Sequence, residues 1–523
     1  MWSLASILIV SLLAGCAQGL AFGAPYPAAL QLLACTILGG IVLPLRSQRR
    51  WGLLLLACAA FWLASYATGL RWIADALLSP DMLGIALGTL VYGMLVVGLS
   101  CLSILCLWGA TVLSAPIRSE VLCCAFFSSA LLGADLLREL LLPSFPWLSV
   151  GYAHVEWPFA VLLPLIGVQG VSWVAQFVAL LLGALCVSLA VTRSAQGPTV
   201  ALVTVCALGA ALSSRAATMV TTLTRDAGSL RAVAMQTVVP VKDKFRASLF
   251  AKHLTGVGDF ARSHDAAQLI LTPETAVPTS LRALTPAQEQ FLAGSVTASR
   301  ALIFGAFAED SRGDVFNSAV MLQRVADVPA AVQRTVYIKQ HLAPVGEYAP
   351  PGFRWIAALL HFRISNLRAT QDAPRNFAIS GITVIPSVCQ DLLYGDDLRT
   401  TTANPRLLVN LSNVAFFKSP LARAQFLNIA RARALEQQLP VLIAANYGPT
   451  AFIDATGVIE RVLPAETEGA LEVTVHPRMG TTPYARFGNA FLYLTIALTV
   501  AATLGTAVMN SRWWTKRRLV ANQ

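Results

Sequence analysis

The polar part of the chain contains one cysteine, and this residue is the first candidate for chemistry. Nine of the ten cysteines lie in apolar sequence up to Cys206, and only Cys389 follows them. Since Cys389 has no partner there for a structural disulfide, it is either a small buried apolar side chain or a reactive group. It comes after the apolar run 382–385 and a Pro-Ser-Val turn. We expect a strand here that presents the thiol at its carboxyl end.

Two charged residues could activate this thiol. Glu274 follows the apolar run Leu269-Ile-Leu, and Lys339 lies in the segment 337–348. Taken alone, Glu274 could be an ordinary acid at the start of a helix and Lys339 a solvated surface charge. Together with the thiol they supply a base, a cation that favours a thiolate or an oxyanion, and a nucleophile. This set predicts covalent acyl transfer.

The composition indicates that this chemistry belongs to a membrane protein. Of the 523 residues, 56% are hydrophobic and 12% are charged, whereas about a quarter of a soluble domain is charged. The net charge of +11 would suit a nucleic-acid partner, but several basic residues sit in short clusters beside apolar stretches. Such clusters are typical of membrane topology. We therefore expect a lipid bilayer as partner and no nucleic acid.

Eight apolar stretches approach the roughly 20 residues that a helix needs to cross the hydrocarbon of a bilayer. They lie near residues 2–22, 27–45, 51–78, 82–114, 119–142, 158–192, 199–221 and 489–510. Basic residues concentrate in alternate loops and in the carboxyl-terminal tail, at Arg46, Arg49, Arg50, Arg118, Arg193, Arg512, Lys516, Arg517 and Arg518. Because basic loops stay in the cytoplasm, we predict that both termini are cytoplasmic and that residues 222–488 lie outside the inner membrane.

The sequence thus predicts four parts. They are a membrane domain of about seven helices (1–221), an extracytoplasmic domain (222–488), an eighth membrane helix (489–510) and a basic cytoplasmic tail (511–523). Within 222–488, short apolar runs that predict buried strands lie at 233–236, 269–272, 302–305, 382–385, 407–410 and 441–444. Amphipathic stretches such as 421–438 predict helices packed on a sheet. The fold class of this domain is therefore α/β.

The beginning of the chain has a second interpretation. Leu13-Ala-Gly-Cys16 follows an apolar run and is similar to a lipoprotein signal with its acylated cysteine. The first residues lack the basic segment that a signal peptide carries, and small residues are common in membrane helices. The sequence favours a membrane helix.

The order of the candidate residues resembles the nitrilase, or carbon–nitrogen hydrolase, superfamily. The motifs are Pro273-Glu274, then Lys339-x-His-Leu-x-Pro-x-Gly-Glu347-Tyr, then Cys389. With membrane spans on both sides, the layout resembles the apolipoprotein N-acyltransferase family. The likeness covers nearly the whole chain through further motifs at 137–138, 145–152, 412–413, 430–436, 446–448 and 482–488. It implies a nitrilase-like α-β-β-α sandwich for the extracytoplasmic domain, beside a polytopic α-helical membrane domain.

The resemblance also implies roles for the candidate residues. Glu274 would be the general base, Lys339 the stabiliser of tetrahedral intermediates, and Cys389 the residue that becomes a thioester. The supporting residues are expected to be Glu347, Asp391 and Asn413. The acyl donor would be a phospholipid, and the acceptor would be the α-amino group of the diacylglyceryl-cysteine of a lipoprotein. We expect no cofactor, no metal and a monomeric protein in the bacterial inner membrane.

Both implied substrates carry acyl chains, which are costly to transfer into water at about 0.8 kcal/mol per CH₂. The site should therefore open toward the bilayer. The segment 353–362 is predicted to be a lid or interfacial arm, although an ordinary amphipathic surface helix fits it equally well. The candidate lipid-facing side chains are Trp147, Trp355, Phe416 and Phe417. Trp147 and Trp72 could instead belong to an interfacial aromatic belt.

The chain departs from the family pattern at two places. Cys389-Gln-Asp391 stands where the family usually has Cys-Tyr-Glu, and Ser412-Asn-Val-Ala-Phe-Phe-Lys418 stands where it has Ser-Asn-Asp-Ala-Trp-Phe-Gly. The second run lies near the acyl site in the family. Two alternatives therefore stay open: a divergent membrane-bound amidase or acyltransferase of the same superfamily with another acceptor, and a non-catalytic binding homologue.

Overall fold

The computed structural model divides the described part of the chain into two compact units. The membrane unit contains the residues up to 203 and from Phe487 onward, and the sheet unit contains residues 223 to Arg486. The structure describes residues 3–24, 26–78, 83–141, 145–156, 158–191, 199, 202–203, 223–325, 328–344, 346–348, 365–370, 376–415 and 418–521.

The membrane unit is built from apolar helices. They are α1 (Leu4–Leu20), α2 (Pro27–Ser47), α3 (Trp51–Gly69), α4 (Arg71–Leu77), α5 (Gly84–Leu113), α6 (Glu120–Leu141), α7 (Leu163–Val191) and the carboxyl-terminal helix Ala490–Ala521. In the described residues, those long and apolar enough to cross a bilayer are Pro27–Ser47, Trp51–Gly69, Gly84–Leu113, Glu120–Leu141, Phe159–Ala190 and Ala490–Met509. The chain is therefore a multi-pass membrane protein.

Some of the predicted stretches differ from the observed helices. The stretch 51–78 forms two helices, α3 and α4, because Leu70 (φ −105°, ψ 15°) leaves the helical conformation. The first stretch forms helix α1 of 17 residues, which is shorter than the usual span. The predicted span 199–221 lies outside the described residues, apart from residues 199, 202 and 203.

Small residues allow the helices of the membrane unit to approach closely. A Cβ atom placed on Gly15 of α1 would lie 2.1 Å from the main-chain oxygen of Phe61 in α3, and one placed on Gly183 of α7 would lie 2.6 Å from the oxygen of Thr36 in α2. Since apolar burial alone does not drive helix association in lipid, close backbone packing of this kind holds such bundles together. Gly15 belongs to the Leu13–Cys16 motif, which here lies inside helix α1.

The described residues of the sheet unit form two sheets. Its strands are β1 (Thr224–Asp226), β2 (Leu230–Gln236), β3 (Leu269–Leu271), β4 (Ala301–Glu309), β5 (Val315–Val325), β6 (Val328–Ile338), β7 (Phe377–Ile379), β8 (Ile382–Val388), β9 (Arg406–Asn413), β10 (Val441–Asn446), β11 (Ala451–Ile453), β12 (Ile459–Val462), β13 (Gly469–Val475) and β14 (Arg478–Gly480). One sheet has the order β13-β2-β3-β4-β5-β6. The other has the order β1-β14-β9-β10-β11-β12, with β8 paired to β9 and β7 to β8.

Five α-helices lie in the described residues of the sheet unit. They are α8 (Val241–Lys244), α9 (Phe250–Ser263), α10 (Pro286–Ala293), α11 (Pro420–Gln437) and α12 (Pro483–Phe487). Helix α11 confirms the amphipathic helix predicted at 421–438, and it packs on β10 and β11. The six predicted apolar runs all form strands, namely β2, β3, β4, β8, β9 and β10.

The two sheets pack face to face, with helices on the outside. Leu269 and Leu271 of β3 contribute to a core that also contains residues of the second sheet, such as Leu407 and Leu442. Ile270, between them in sequence, points to the other face and packs in a core shared with helices α9 and α10. Because successive side chains of a strand alternate between faces, a strand buried on both faces needs a continuous apolar run. This arrangement is the predicted α-β-β-α sandwich.

The parallel strands of both sheets end near one another. Strands β2, β3 and β4 are mutually parallel, as are β8, β9 and β10. Thr237, just after β2, bridges Asn446 at the end of β10. The segments that follow β2, β3, β8, β9 and β10 therefore share one edge of the sandwich.

Candidate active site

Glu274 lies three residues beyond the end of β3, with its side chain buried. The adjacent residue of β4 is Gly305, and a Cβ atom placed there would lie 2.2 Å from the main-chain nitrogen of Thr275 and 2.8 Å from the carbonyl carbon of Glu274. Thr275 itself has φ 47°. The glycine therefore admits a tight turn that aims the Glu274 carboxylate into the site.

Lys339 follows directly after β6 and is 1% exposed. Its Nζ atom lies 3.0 Å from Oε1 of Glu274 and 2.7 Å from Oε2 of Glu347. Burial by itself lowers the pKa of the Lys339 ammonium, but the two carboxylates outweigh burial and hold its pKa well above the ordinary value. Lys339 is therefore a permanent cation between two acids.

Asn317 of β5 holds both acids from the other side. Its Nδ2 atom donates to Oε1 of Glu274 at 2.7 Å and to Oε1 of Glu347 at 2.6 Å. The main-chain N–H of Ala343 donates to Oε2 of Glu347 at 2.7 Å. Asn317 was not predicted, because neither its strand nor its burial is evident from the sequence; once it is buried, its amide needs partners.

Cys389 begins a short 3₁₀ helix, Cys389–Leu393, directly after β8. Its φ of 51° lies in the left-handed region, which costs a non-glycine residue about 1–3 kcal/mol and recurs at functional turns. The amide of Asn410 donates to the Cys389 carbonyl oxygen at 3.1 Å and to Ser387 Oγ at 2.9 Å. The turn that presents the thiol is thus held by the neighbouring strand β9.

Burial is the main reason that the Cys389 thiol stays protonated. Burial, and after it the negative charge of Glu274, raise the pKa of the Cys389 thiol to about 12. The Lys339 ammonium and a hydrogen bond with the Asn413 main chain act in the opposite direction. Since the thiolate is the nucleophile, a base has to remove the thiol proton during the reaction.

Asp391 links the turn of Cys389 to the segment that carries Lys339. It accepts hydrogen bonds from the Tyr337 hydroxyl at 2.9 Å, the main-chain N–H of His341 at 2.9 Å and that of Val388 at 3.1 Å. Burial raises the pKa of the Asp391 carboxyl to about 6. These contacts give Asp391 a part in positioning the turn.

Lys244 is a second buried lysine beside the site, and the sequence analysis missed it. It lies in the four-residue helix α8, is 4% exposed, and donates from Nζ to the main-chain oxygen of Glu274 at 2.7 Å. Burial lowers the pKa of its ammonium to about 8. It is one of three lysines within 242–252, and nothing in the sequence distinguishes it from the other two.

Of the four residues predicted to face lipid, Trp147 lies in the part of the chain that the structure describes. Trp147 packs against Trp72 inside the membrane unit, with ring centroids 5.0 Å apart. Trp355, Phe416, Phe417 and the predicted arm 353–362 lie outside the described residues. No group of three or more metal-ligating His, Cys, Asp or Glu side chains occurs in the part of the chain that the structure describes.

Comparisons with known proteins agree with this architecture. Residues 218–484 match the family model for carbon-nitrogen hydrolases, so the sheet unit with its Glu, Lys and Cys defines a membrane-anchored member of the nitrilase superfamily. Residues 14–181 match the model for the apolipoprotein N-acyltransferase N-terminal domain.

Individual relatives narrow the class further. An apolipoprotein N-acyltransferase of Ralstonia nicotianae is 34% identical, over 70% of this chain and 68% of the relative. One of Bordetella bronchiseptica is 30% identical, over 94% of this chain and 96% of the relative. The chain belongs to the apolipoprotein N-acyltransferase family, and it is an acyltransferase.

A solved structure of glutamine-dependent NAD⁺ synthetase from Acinetobacter baumannii is also similar. It is 12% identical and covers 50% of each chain with a TM-score of 0.32.

Proposed function

We propose that this chain transfers an acyl chain from a phospholipid, through a thioester on Cys389, to the α-amino group of a lipoprotein's diacylglyceryl-cysteine. The observation that carries the proposal is the buried cluster of Glu274, Lys339 and Glu347, whose charges act on the Cys389 thiol. A base, a fixed cation and a nucleophile are the groups that covalent acyl transfer requires. The family relationship supports the two substrates.

In the first half-reaction, Glu274 takes the thiol proton while the sulfur of Cys389 attacks the carbonyl carbon of the phospholipid ester. The C–S bond forms, and the C–O bond to the glycerol breaks. The proton on Glu274 passes to the departing alkoxide, which leaves as a lysophospholipid. Lys339 stabilises the negative charge that develops in this step, because an oriented cation in a site shielded from water acts strongly on a nearby oxyanion.

In the second half-reaction, the amine of the lipoprotein attacks the thioester carbon. The C–N bond forms, the C–S bond breaks, and Glu274 carries the proton from the amine to the sulfur. Division into two transfers replaces one difficult amide synthesis by two easier steps. Because a thiol with a pKa of about 12 is a poor leaving group as the thiolate, Glu274 has to return the proton to the sulfur while the C–S bond breaks.

The supporting residues keep this arrangement in place. We propose that Glu347 and Asn317 fix Lys339 and Glu274, and that the Asn413 main chain favours the thiolate of Cys389. All of these groups come from one chain, so we propose that a monomer is active.

We also propose that the sheet unit is periplasmic, that both termini are cytoplasmic, and that the membrane is the bacterial inner membrane. The support is the alternation of basic loops along the sequence, with Arg46, Arg49 and Arg50 following the second span. A reporter enzyme that is active only in the periplasm, fused after residue 523, should be inactive. An active fusion would contradict the topology.

The test of the activity uses cells depleted of their own N-acyltransferase. The wild-type chain should restore growth, and mass spectrometry should show an amide-linked acyl chain on lipoproteins. Cys389→Ala, expressed to the same level, should do neither. Good expression of the wild-type chain without the amide-linked chain would refute the proposed acceptor.

A further inference from the structure

We propose that Lys244 is a positioning residue that fixes the main chain of Glu274, the general base of the proposed function on which this inference rests. Its ammonium donates to the Glu274 carbonyl oxygen at 2.7 Å. Among the described residues it forms no ion pair, since the carboxylate of Glu274 is bound by Lys339. The contact therefore acts on the backbone of the base and not on its carboxylate.

The burial of this lysine needs an explanation. Lysine is almost never fully buried unless it is paired, and moving an unpaired charge out of water is costly. Burial lowers the pKa of Lys244 to about 8, although the negative charge of Glu274 partly offsets this effect. An apolar side chain would avoid this cost and fill the same space, so packing alone does not account for Lys244.

The segment that carries Lys244 is tied to the nucleophile side of the site. Asn446, at the end of β10, accepts a hydrogen bond from the Val239 main-chain N–H at 2.8 Å and donates to the Val239 carbonyl at 2.9 Å. The same amide donates to Oδ1 of Asn413 at 2.9 Å, and the Asn413 main chain contacts the thiol of Cys389. A continuous chain of contacts therefore connects the base, through Lys244, to the nucleophile.

Glu274 is held on its other side by β4. Gly305 leaves no room for a Cβ atom next to the Glu274–Thr275 peptide, and Val277 donates to the Gly305 oxygen at 3.0 Å. The Glu274–Thr275 peptide thus contacts Gly305 closely and also accepts a hydrogen bond from the Lys244 ammonium at the Glu274 oxygen. Without the Lys244 ammonium, the Glu274–Thr275 peptide loses its hydrogen bond and can rotate. The Glu274 carboxylate then moves with it.

The test compares Lys244→Met with a matched control, Lys242→Met, in the full-length chain in detergent micelles with labelled phospholipid. Lys242 lies two residues earlier in the same helix and is exposed. A misplacement of about 1 Å in a catalytic group costs about 100-fold in rate. We expect Lys244→Met to lower the rate of thioester formation about 100-fold at saturating phospholipid, with KM nearly unchanged.

Two further readouts separate positioning from a general loss of stability. Rates are expressed per folded molecule, determined from the thermal unfolding signal, and Lys244→Arg should recover most of the lost rate because it keeps a cationic donor. Lys242→Met should match the wild type. A folded Lys244→Met with the wild-type rate overturns the inference, as does an equal loss in Lys242→Met.

If Lys244→Met does not fold, Lys244→Gln is measured in its place. Its side chain is polar but one atom shorter, so it does not reach the Glu274 oxygen, and the same loss of rate is expected. A wild-type rate in a folded Lys244→Gln overturns the inference. Failure of the proposed function is distinguishable, because the wild-type chain itself would then form no thioester.

Discussion

Replacement of Asn317 tests whether the geometry of the acid pair controls the reaction. Asn317→Leu keeps the size of the side chain but removes the amide that donates to Glu274 at 2.7 Å and to Glu347 at 2.6 Å. A hydrogen bond to a charged group contributes about 1.5–3 kcal/mol. If the bond to Glu274 sets the position of the base, its loss raises the barrier by that amount and slows thioester formation about 10- to 150-fold.

The assay measures formation of the acyl-enzyme in a single turnover with labelled phospholipid. The reaction is quenched in acid, and the label on the protein band is measured after gel electrophoresis. Asn317→Asp should be at least as slow, because it places a third carboxylate against two others. The matched control is Ser318→Ala on the same strand, which loses a buried hydrogen bond to the Ala306 oxygen of 2.8 Å but no contact with the acids. Its stability should fall while its rate per folded molecule stays that of the wild type.

The reasoning is refuted if folded Asn317→Leu forms the thioester at the wild-type rate. It is also refuted if Ser318→Ala is slowed as much as Asn317→Leu, because the effect would then follow general stability and not the position of the acids.

Three other predictions follow from the same structure. Gly305→Ala places a Cβ atom 2.2 Å from the Thr275 nitrogen. The free energy of unfolding should therefore fall by about 1–3 kcal/mol, and thioester formation should slow. An unchanged melting temperature would contradict this prediction. The pKa of about 12 for the Cys389 thiol predicts slow alkylation by iodoacetamide at pH 7, measured by mass spectrometry. The rate should rise about tenfold per pH unit until the pH reaches the pKa of the thiol. A plateau near pH 8 would show an ordinary thiol. In the membrane unit, Asp135→Asn breaks the buried ion pair of 3.1 Å with Arg138 and should cost about 3–5 kcal/mol, measured by thermal unfolding in detergent; a wild-type melting temperature would show that the pair is dispensable.

The elements with the strongest sequence signals are the ones that the structure bears out. Strands β3 and β10 are buried on both faces, so their sequences are continuous apolar runs. The hairpin of β5 and β6 was missed, because residues such as Gln323 and Arg324 interrupt the apolar pattern along its 11-residue strands. Lys339 follows this hairpin, and its burial could not be inferred without it.

The residues of the candidate site were also predicted only in part from the sequence. Glu274, Lys339 and Cys389 were predicted from residue type and order, and the structure places the first two in contact. Asn317 and Lys244 were not predicted, since each has its partner in Glu274, 43 and 30 residues away in sequence. A polar residue whose partner is distant in sequence looks like a surface residue until the fold brings the two together.

Mass spectrometry of the acylated protein tests directly whether Cys389 carries the acyl chain. The full-length chain is incubated with phospholipid bearing a labelled acyl chain, in the absence of an acceptor, and its peptides are analysed by mass spectrometry. We expect an acyl group on the peptide that contains Cys389. Hydroxylamine should remove it, as it removes a thioester, and it should be absent from Cys389→Ala. A labelled peptide elsewhere in the chain, or lipoprotein acylation by Cys389→Ala, would contradict it.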